Sequence, residues 1–262
     1  MTEEIQIKGG HALSNGIKIQ GPTTCVTVIR EENDHISISV AEVRSETGSA
    51  LLLIQSVIEA INGSVLAIVA PIALFLLLPL FIGMSIHPWI IGVLVENMIR
   101  FGLLFLAVWS ITKVPDTLPS LAYHGAEHKV IHAYEENCNL TVKSVQAYPR
   151  VDDRCGTMLA PILLVTSVAA TLILGDLPLI WRVFSRFAML PVAGVASYGW
   201  FKFTVKHNAH KWIQALQAPG LALQRITVQE PTDSMIEIAI TAVEKMVELE
   251  KERDLLDTGT EI

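Results

Sequence analysis

Long stretches of this chain carry no charge at all, and they are separated by short polar segments. SVLAIVAPIALFLLLPLFIGMSI, at 64–86, is an uncharged run of 23 residues, long enough as a helix to cross a hydrocarbon layer of about 30 Å. After the His87-Pro88 pair, residues 89–112 supply a second apolar segment, interrupted by Glu96, Asn97 and Arg100. A third runs over 156–175 and a fourth over 179–201, the latter with Arg182 and Arg186 near its start. This pattern predicts four transmembrane helices in two hairpins.

Between and around them the pattern changes. TTCVTVIR (23–30) and HISISVAE (35–42) alternate in the manner of half-buried strands around the turn-like EEND, which predicts a β-hairpin. LQRITVQ at 223–229 reads as a third short strand, and the Pro-Thr-Asp at 231–233 opens a helix to about 254, with Ile236, Ile240, Val243 and Val247 on one side. The fold class expected is therefore mainly α: a polytopic membrane protein with a small cytoplasmic β element and a C-terminal amphipathic helix. Its segments divide as 1–48 (β-hairpin region), 49–112 (first membrane hairpin), 113–155 (loop and helix), 156–201 (second membrane hairpin) and 202–262 (strand and helix).

Composition strengthens the membrane reading. Of 262 residues 51% are hydrophobic and only 17% charged, too apolar for an ordinary water-soluble domain of this length. The net charge of −7, with 10 of the 26 acidic residues at 230–262, leaves no basic stripe for nucleic acid. Cys25, Cys138 and Cys155 are too few and too scattered for a disulfide framework and suit a reducing compartment. The N-terminal MTEEIQIKGG has no basic segment followed by an apolar run, so a cleaved signal peptide is not expected. Lys and Arg flank the predicted spans at 8–44, 113–154 and 202–211, and the two hairpin turns carry none. Both termini and the central loop are therefore expected in the cytoplasm, with Arg182 and Arg186 counting against that orientation. Glu96 and Arg100, at i and i+4, are expected to pair in the bundle interior.

The candidate chemistry lies in YHGAEHKVIHAYEENC, at 123–138. On a helix, His124 and His128 fall roughly 40° apart, Glu135 between them, and Glu127 and His132 roughly 60° and 80° to either side. Two imidazoles at i and i+4 suit a tetrahedral Zn²⁺. HGAEH also fits the pattern H-x-x-E-H, in which Glu127 would be the general base. The further acidic ligand such peptidases need is missing from LPVAGVASYGWFKF at 190–203. The competing reading is an interfacial helix whose polar face meets water, with Lys129 and the histidines at headgroup level. A second shell is offered by YPRVDDRCGT at 148–157, where Asp152, Asp153 and Cys155 combine hard and soft ligands. The plain alternative there is that the Asp pair caps the next helix.

Five blocks, GGHALSNGIKIQGP (9–22), AYHGAEHKVIHAYE (122–135), DDRCGT (152–157), RFAMLPVAGVASYGW (186–200) and QRITVQEP (224–231), resemble in content and order the YqhQ-like bacterial membrane proteins, which are described as predicted metal-dependent enzymes. The resemblance implies a multi-pass protein of the bacterial cell membrane with His124, Glu127, His128 and Cys155 at its functional site. Asp152-Asp153 stand where that family has His-Pro, and Asn15 and Gln20 where it has Glu and Arg. The expected function is a metal-dependent hydrolase at the cytoplasmic membrane surface, with Glu127 catalytic and a divalent metal, Zn²⁺ in the first instance, on His124, His128, Asp152 and Cys155. The alternative is a non-catalytic membrane factor that aids assembly or transport of other membrane proteins. Membrane lipid, and in the second case other membrane proteins, are the expected partners.

Overall fold

A computed structural model describes residues 5–31, 33–43, 65–207 and 210–259. The expected boundary between the first two segments, at 48/49, lies outside the described residues. The chain is mainly helical with one small sheet, and it divides into two compact units. Residues 1–45, 111–152 and 225–262 form the first, and residues 46–110 and 153–224 the second.

In the first unit, β1 (Gly9–Ala12), β2 (Gly16–Gln20), β3 (Thr24–Arg30) and β4 (Ile36–Glu42) make an antiparallel meander in the order β1-β2-β3-β4. The expected hairpin is β3–β4. Two further strands precede it, and the register sets Ile17 opposite Val28 and Ile19 opposite Val26. All four side chains are fully buried, because a period of two sends Ile17 and Ile19 to one face and Lys18 to the other. Two helices cover that face. From α3 (Leu118–Glu135) come Tyr123, Ala126, Val130 and Ala133, and from α8 (Asp233–Gly259) come Ile236, Ala239, Val243 and Met246. The 3–4 spacing within each set is the core stripe of an amphipathic helix.

Glu250 of α8 ties this layer together. Its carboxylate accepts hydrogen bonds from the backbone N–H of Thr23 (2.8 Å) and Thr24 (2.6 Å) and from both threonine hydroxyls. Burial pushes its pKa up, but these donors outweigh that and hold it below the usual value. Of the positions that depart from the resembled pattern, Gln20 lies in β2 and Asn15 in the bend between β1 and β2. The Asn15 amide donates to the Arg30 carbonyl at 3.2 Å, and Gln20 pairs with Cys25.

The strand expected at 223–229 is not formed. Those residues continue α7 (Lys211–Thr227) and then run irregularly into α8. The alternating LQRITVQ pattern fits one edge of a helix as well as a strand. In the helix it buries Leu223 and Gln224.

In the second unit, helices occupy all four apolar stretches: α1 (Val65–Met84), α2 (Trp89–Ile111), α5 (Leu159–Leu174) and α6 (Leu179–Lys206). By length and composition, two of them can cross a membrane, Trp89–Ile111 and Gly156–Leu174. A third qualifies if α6 is one span, since it bends by 46° between Ala188 and Pro191, as a helix-interior proline demands. Leu74–Met84 of α1 counts as a shorter apolar helix. Large apolar side chains such as Met98, Ile173, Ile180 and Val195 stand exposed on these helices.

The polar residues of these helices turn inward to one another. Glu96 pairs with Arg100 one turn on, as expected, and also accepts two hydrogen bonds from Arg186, at 2.8 and 3.0 Å. Asn97 accepts from the Ser167 hydroxyl at 3.2 Å. Arg186 is thus a bundle residue, and Arg182 pairs with Asp176 in the turn before it. Both arginines that ran against the flanking-charge pattern have carboxylate partners.

Candidate functional site

Helix α3 presents its apolar stripe to the sheet, so the next stripe round, His124, Glu127, His128 and His132, meets the rest of the first unit. Gly125 lets the chain pass close by. The carbonyl of Gln229 lies where a Cβ at 125 would stand, and Gln229 N–H donates to the Leu121 carbonyl at 3.0 Å. Gly10 of β1 plays the same part against the Glu127 carboxyl. These two close approaches bury the site between β1, the 146–152 segment and the 227–230 segment.

Lys129 is the clamp of this arrangement. Its ammonium donates to the Gln146 carbonyl at 2.7 Å and pairs with Glu230 at 2.7 Å, and Arg150 approaches the other Glu230 oxygen at 3.7 Å. The competing reading, with Lys129 at a headgroup surface, does not fit this: its side chain is only 5% exposed. The interfacial-helix reading falls with it, because Glu127 and His128 are buried as well. Glu135 is exposed at the end of α3 and does not share the buried face expected for it.

The imidazoles of His124 and His128 lie with ring centres 4.5 Å apart, and ligand-capable nitrogens of the two are within 4.8 Å. His128 Nδ1 stands 2.6 Å from the Arg150 carbonyl. A carbonyl only accepts, so Nδ1 carries the proton and Nε2 is the basic nitrogen. Such a bond to a backbone carbonyl is the usual support of a metal-ligating histidine. His124 is pushed down to about 4, first by burial and then by His128 and His11, against a backbone hydrogen bond with Thr227. It is neutral at pH 7.

Asp152 is brought to the same place. It is buried, and its Oδ2 lies 3.5 Å from His132 Nε2, a buried atom with no hydrogen-bond partner among the described residues. Glu127 is pushed up to about 8 by burial and by the Asp152 charge. The residues at the cap positions of the 3₁₀ turn Gly156–Met158 and of α5 are Cys155 and Met158, and neither uses its own side chain as a cap. Asp153 and Cys155 open the second unit. Both are half-buried, and the Cys155 thiol lies 3.4 Å from the Thr157 hydroxyl.

Four residues singled out in the sequence, His124, Glu127, His128 and Asp152, thus lie within one unit. The site adds His11, which shifts His124 from β1, and the Lys129–Glu230 clamp. A lone histidine in GGHA carries no spacing signal. The clamp joins residues about a hundred positions apart, and only the glycine of HGAEH hinted that a chain passes there.

The chain is similar to the "Uncharacterized protein YqhQ" of Bacillus subtilis (strain 168), with 31% identity over 180 residues. That match covers 67% of this chain and 57% of the relative, so the chain spans little more than half the length of this relative. No solved structure matches the chain. The family model "Protein of unknown function (DUF1385)" matches residues 19–249, a range that contains both the α3 histidines and the Asp152 segment, and the chain belongs to that family.

Proposed function

We propose that this protein is a membrane-bound hydrolase dependent on a divalent metal, held by His124 and His128 with Asp152 completing the set. The observation that carries the reading is the pair of neutral imidazoles one turn apart, with the His128 Nδ1 proton fixed on the Arg150 carbonyl. The donor set fits a borderline cation such as Zn²⁺: two neutral nitrogens and a carboxylate. The poise of Glu127 agrees with this, since a carboxyl that keeps its proton to about pH 8 sits in a field short of positive charge. Cys155, three residues beyond Asp152 in the chain, is a further candidate donor.

A bound divalent cation would supply a water acidic enough to deprotonate near neutral pH. The chain's own residues would do the rest. Glu127 would hold or take the proton at its carboxyl oxygens, Asp152 would keep His132 oriented, and Lys129 would hold the 146–152 segment in place. The membrane setting proposed is four spans with both termini and residues 113–155 in the cytoplasm. It is supported by the way residues 1–45, 111–152 and 225–262, which flank the apolar helices, fold together as one unit, and by their share of Lys and Arg. Labelling of single cysteines from outside intact cells is expected at position 87 or 177 and not at 139; labelling at 139 would reverse the orientation.

Elemental analysis of protein purified without chelators tests the metal. About one divalent ion per chain is expected, lost in His124→Ala combined with His128→Ala and weakened in Asp152→Ala. Metal-free wild-type protein sinks the reading. Asp152→His should retain the metal, since imidazole is a good zinc ligand. With Co²⁺ substituted, a visible spectrum that changes on adding small anions marks an open coordination position. A closed, anion-insensitive site would leave a structural metal and end the hydrolase reading. The second reading, a factor for other membrane proteins, is favoured by one feature: edge strand β4 exposes Ile36, Ile38 and Val40, a strand face suited to pairing with another chain.

A further inference from the structure

Glu96, Arg100 and Arg186 place one negative and two positive charges at side chains 2%, 3% and 8% exposed. One carboxylate against two guanidiniums leaves a formal charge of +1 in apolar surroundings, where an unbalanced charge is expensive. The guanidinium of Arg100 reaches Glu96, the Leu76 carbonyl (3.2 Å) and, more weakly, Asn97 Oδ1 (3.4 Å). Its Nε–H is shielded from solvent and has no acceptor among the described residues.

The excess charge adjoins space. Arg100 and Arg186 both line a partly open cleft within the second unit, with room along its open side for a ligand to lie partly outside it. Its other walls are chiefly apolar, including Phe75, Leu163 and Ala170, with the Ser167 and Thr171 hydroxyls among them. Those hydroxyls already donate to backbone carbonyls of their own helix, at 2.7 and 2.8 Å, so Arg100 is the group left wanting an acceptor.

We propose that this cleft binds a singly charged anionic amphiphile of the fatty-acid class, its carboxylate against Arg100 and its acyl chain along the apolar wall. One negative charge brings the cluster to neutrality, whereas a dianion such as phosphate would overshoot it and waste the apolar wall. An uncharged chain would leave both the surplus charge and the Arg100 Nε–H unmet. The inference rests on the second unit alone and stands or falls apart from the metal site.

The full chain in nanodiscs of zwitterionic lipid, titrated with labelled palmitate, tests it. Saturable binding of about one palmitate per chain is expected, and hexadecanol should bind at least about tenfold more weakly for want of the charge-assisted bond. Inorganic phosphate should not displace the palmitate. Arg100→Gln should weaken binding about tenfold or more, Arg100→Lys should keep most of it, and Ala170→Phe should remove it by filling the cleft without altering charge. Equal binding of hexadecanol, displacement by phosphate, unsaturable uptake, or full binding by folded Arg100→Gln each overturns the proposal. Should Arg100→Gln fail to fold, undiminished binding by Ala170→Phe does so alone.

Discussion

Glu96 and Glu127 are both buried carboxyls on helices, 2% and 7% exposed, and the two units treat them oppositely. Glu96 is surrounded by permanent cations, with Arg100 and Arg186 both in hydrogen-bond contact. Glu127 has Asp152 as its charged neighbour and keeps a proton to about pH 8. A guanidinium does not titrate at any pH the protein meets, so the charge pattern in the second unit is fixed. Around Glu127 the compensating positive charge is one that comes and goes: its own proton. The difference separates a structural use of buried charge from a chemically responsive one.

The comparison breaks first at Glu96. Glu96→Gln leaves two buried guanidiniums facing each other, and removing one partner of a buried ionic cluster typically costs about 3–5 kcal/mol. A large fall in the thermal midpoint in detergent is expected. A shift of only a degree or two would show that water reaches the cluster and that its charges are not fixed by burial.

Next comes the fixed carboxylate of the first unit. Glu250→Ala leaves the Thr23 and Thr24 amides without their acceptor, at a cost of about 1–3 kcal/mol, read as an earlier midpoint in urea. Gly125→Ala, which drives a methyl into the Gln229 carbonyl, belongs in the same range, about 1–3 kcal/mol for an overpacked contact. It should in addition disturb the proposed metal site, which Glu250→Ala should spare.

The titrating side of the comparison is read in pH. For Glu127, ordinary value 4.5 and folded value about 8, both states hold the proton below 4.5. Between 4.5 and 8 the folded state binds more protons than the unfolded one, so stability falls as pH rises, and above 8 the loss is complete. For His124, ordinary value 6.5 and folded value about 4, the folded state binds fewer protons between 4 and 6.5, and stability rises with pH there. The two oppose each other up to about 6.5 and leave a clean decline from there to 8. Metal-free protein should show that decline in its melting temperature. Glu127→Gln should flatten it, and a decline that persists unchanged in the variant would assign it to another group. The smallest effect is expected at exposed Glu135: Glu135→Ala should change stability by no more than about 0.5 kcal/mol and leave metal content alone.

Much of this was legible in the chain. The β3–β4 hairpin, the C-terminal helix and the helical character of the 123–138 segment follow from local period and residue type. GIKIQ is not legible as a strand although Ile17 and Ile19 alternate like any strand, because a five-residue run beside glycines gives little signal until its partners Val26 and Val28 are known. LQRITVQ erred the other way, since a short alternating run is also one edge of a helix. The burial of Lys129 is not legible in sequence, because a lysine among histidines reads as solvated until its distant partner, Glu230, is found. The two-arginine grip on Glu96 escaped for the same reason: the i, i+4 partner is visible in sequence, and the one 90 residues away is not.

The helix that roofs the sheet has a consequence for how the protein is made. β3 ends at Arg30 and α8 begins at Asp233, so roughly 200 residues of chain are synthesised after the sheet and before its cover. At about 5–20 residues per second, the face bearing Ile17, Ile19, Val26 and Val28 waits for something like 10–40 seconds without α8. For that interval α3, made about halfway through it, is the one helical cover that face can take. A chain broken off between α3 and α8 keeps the α8 side of that face exposed for good, and one broken off before α3 keeps all of it exposed.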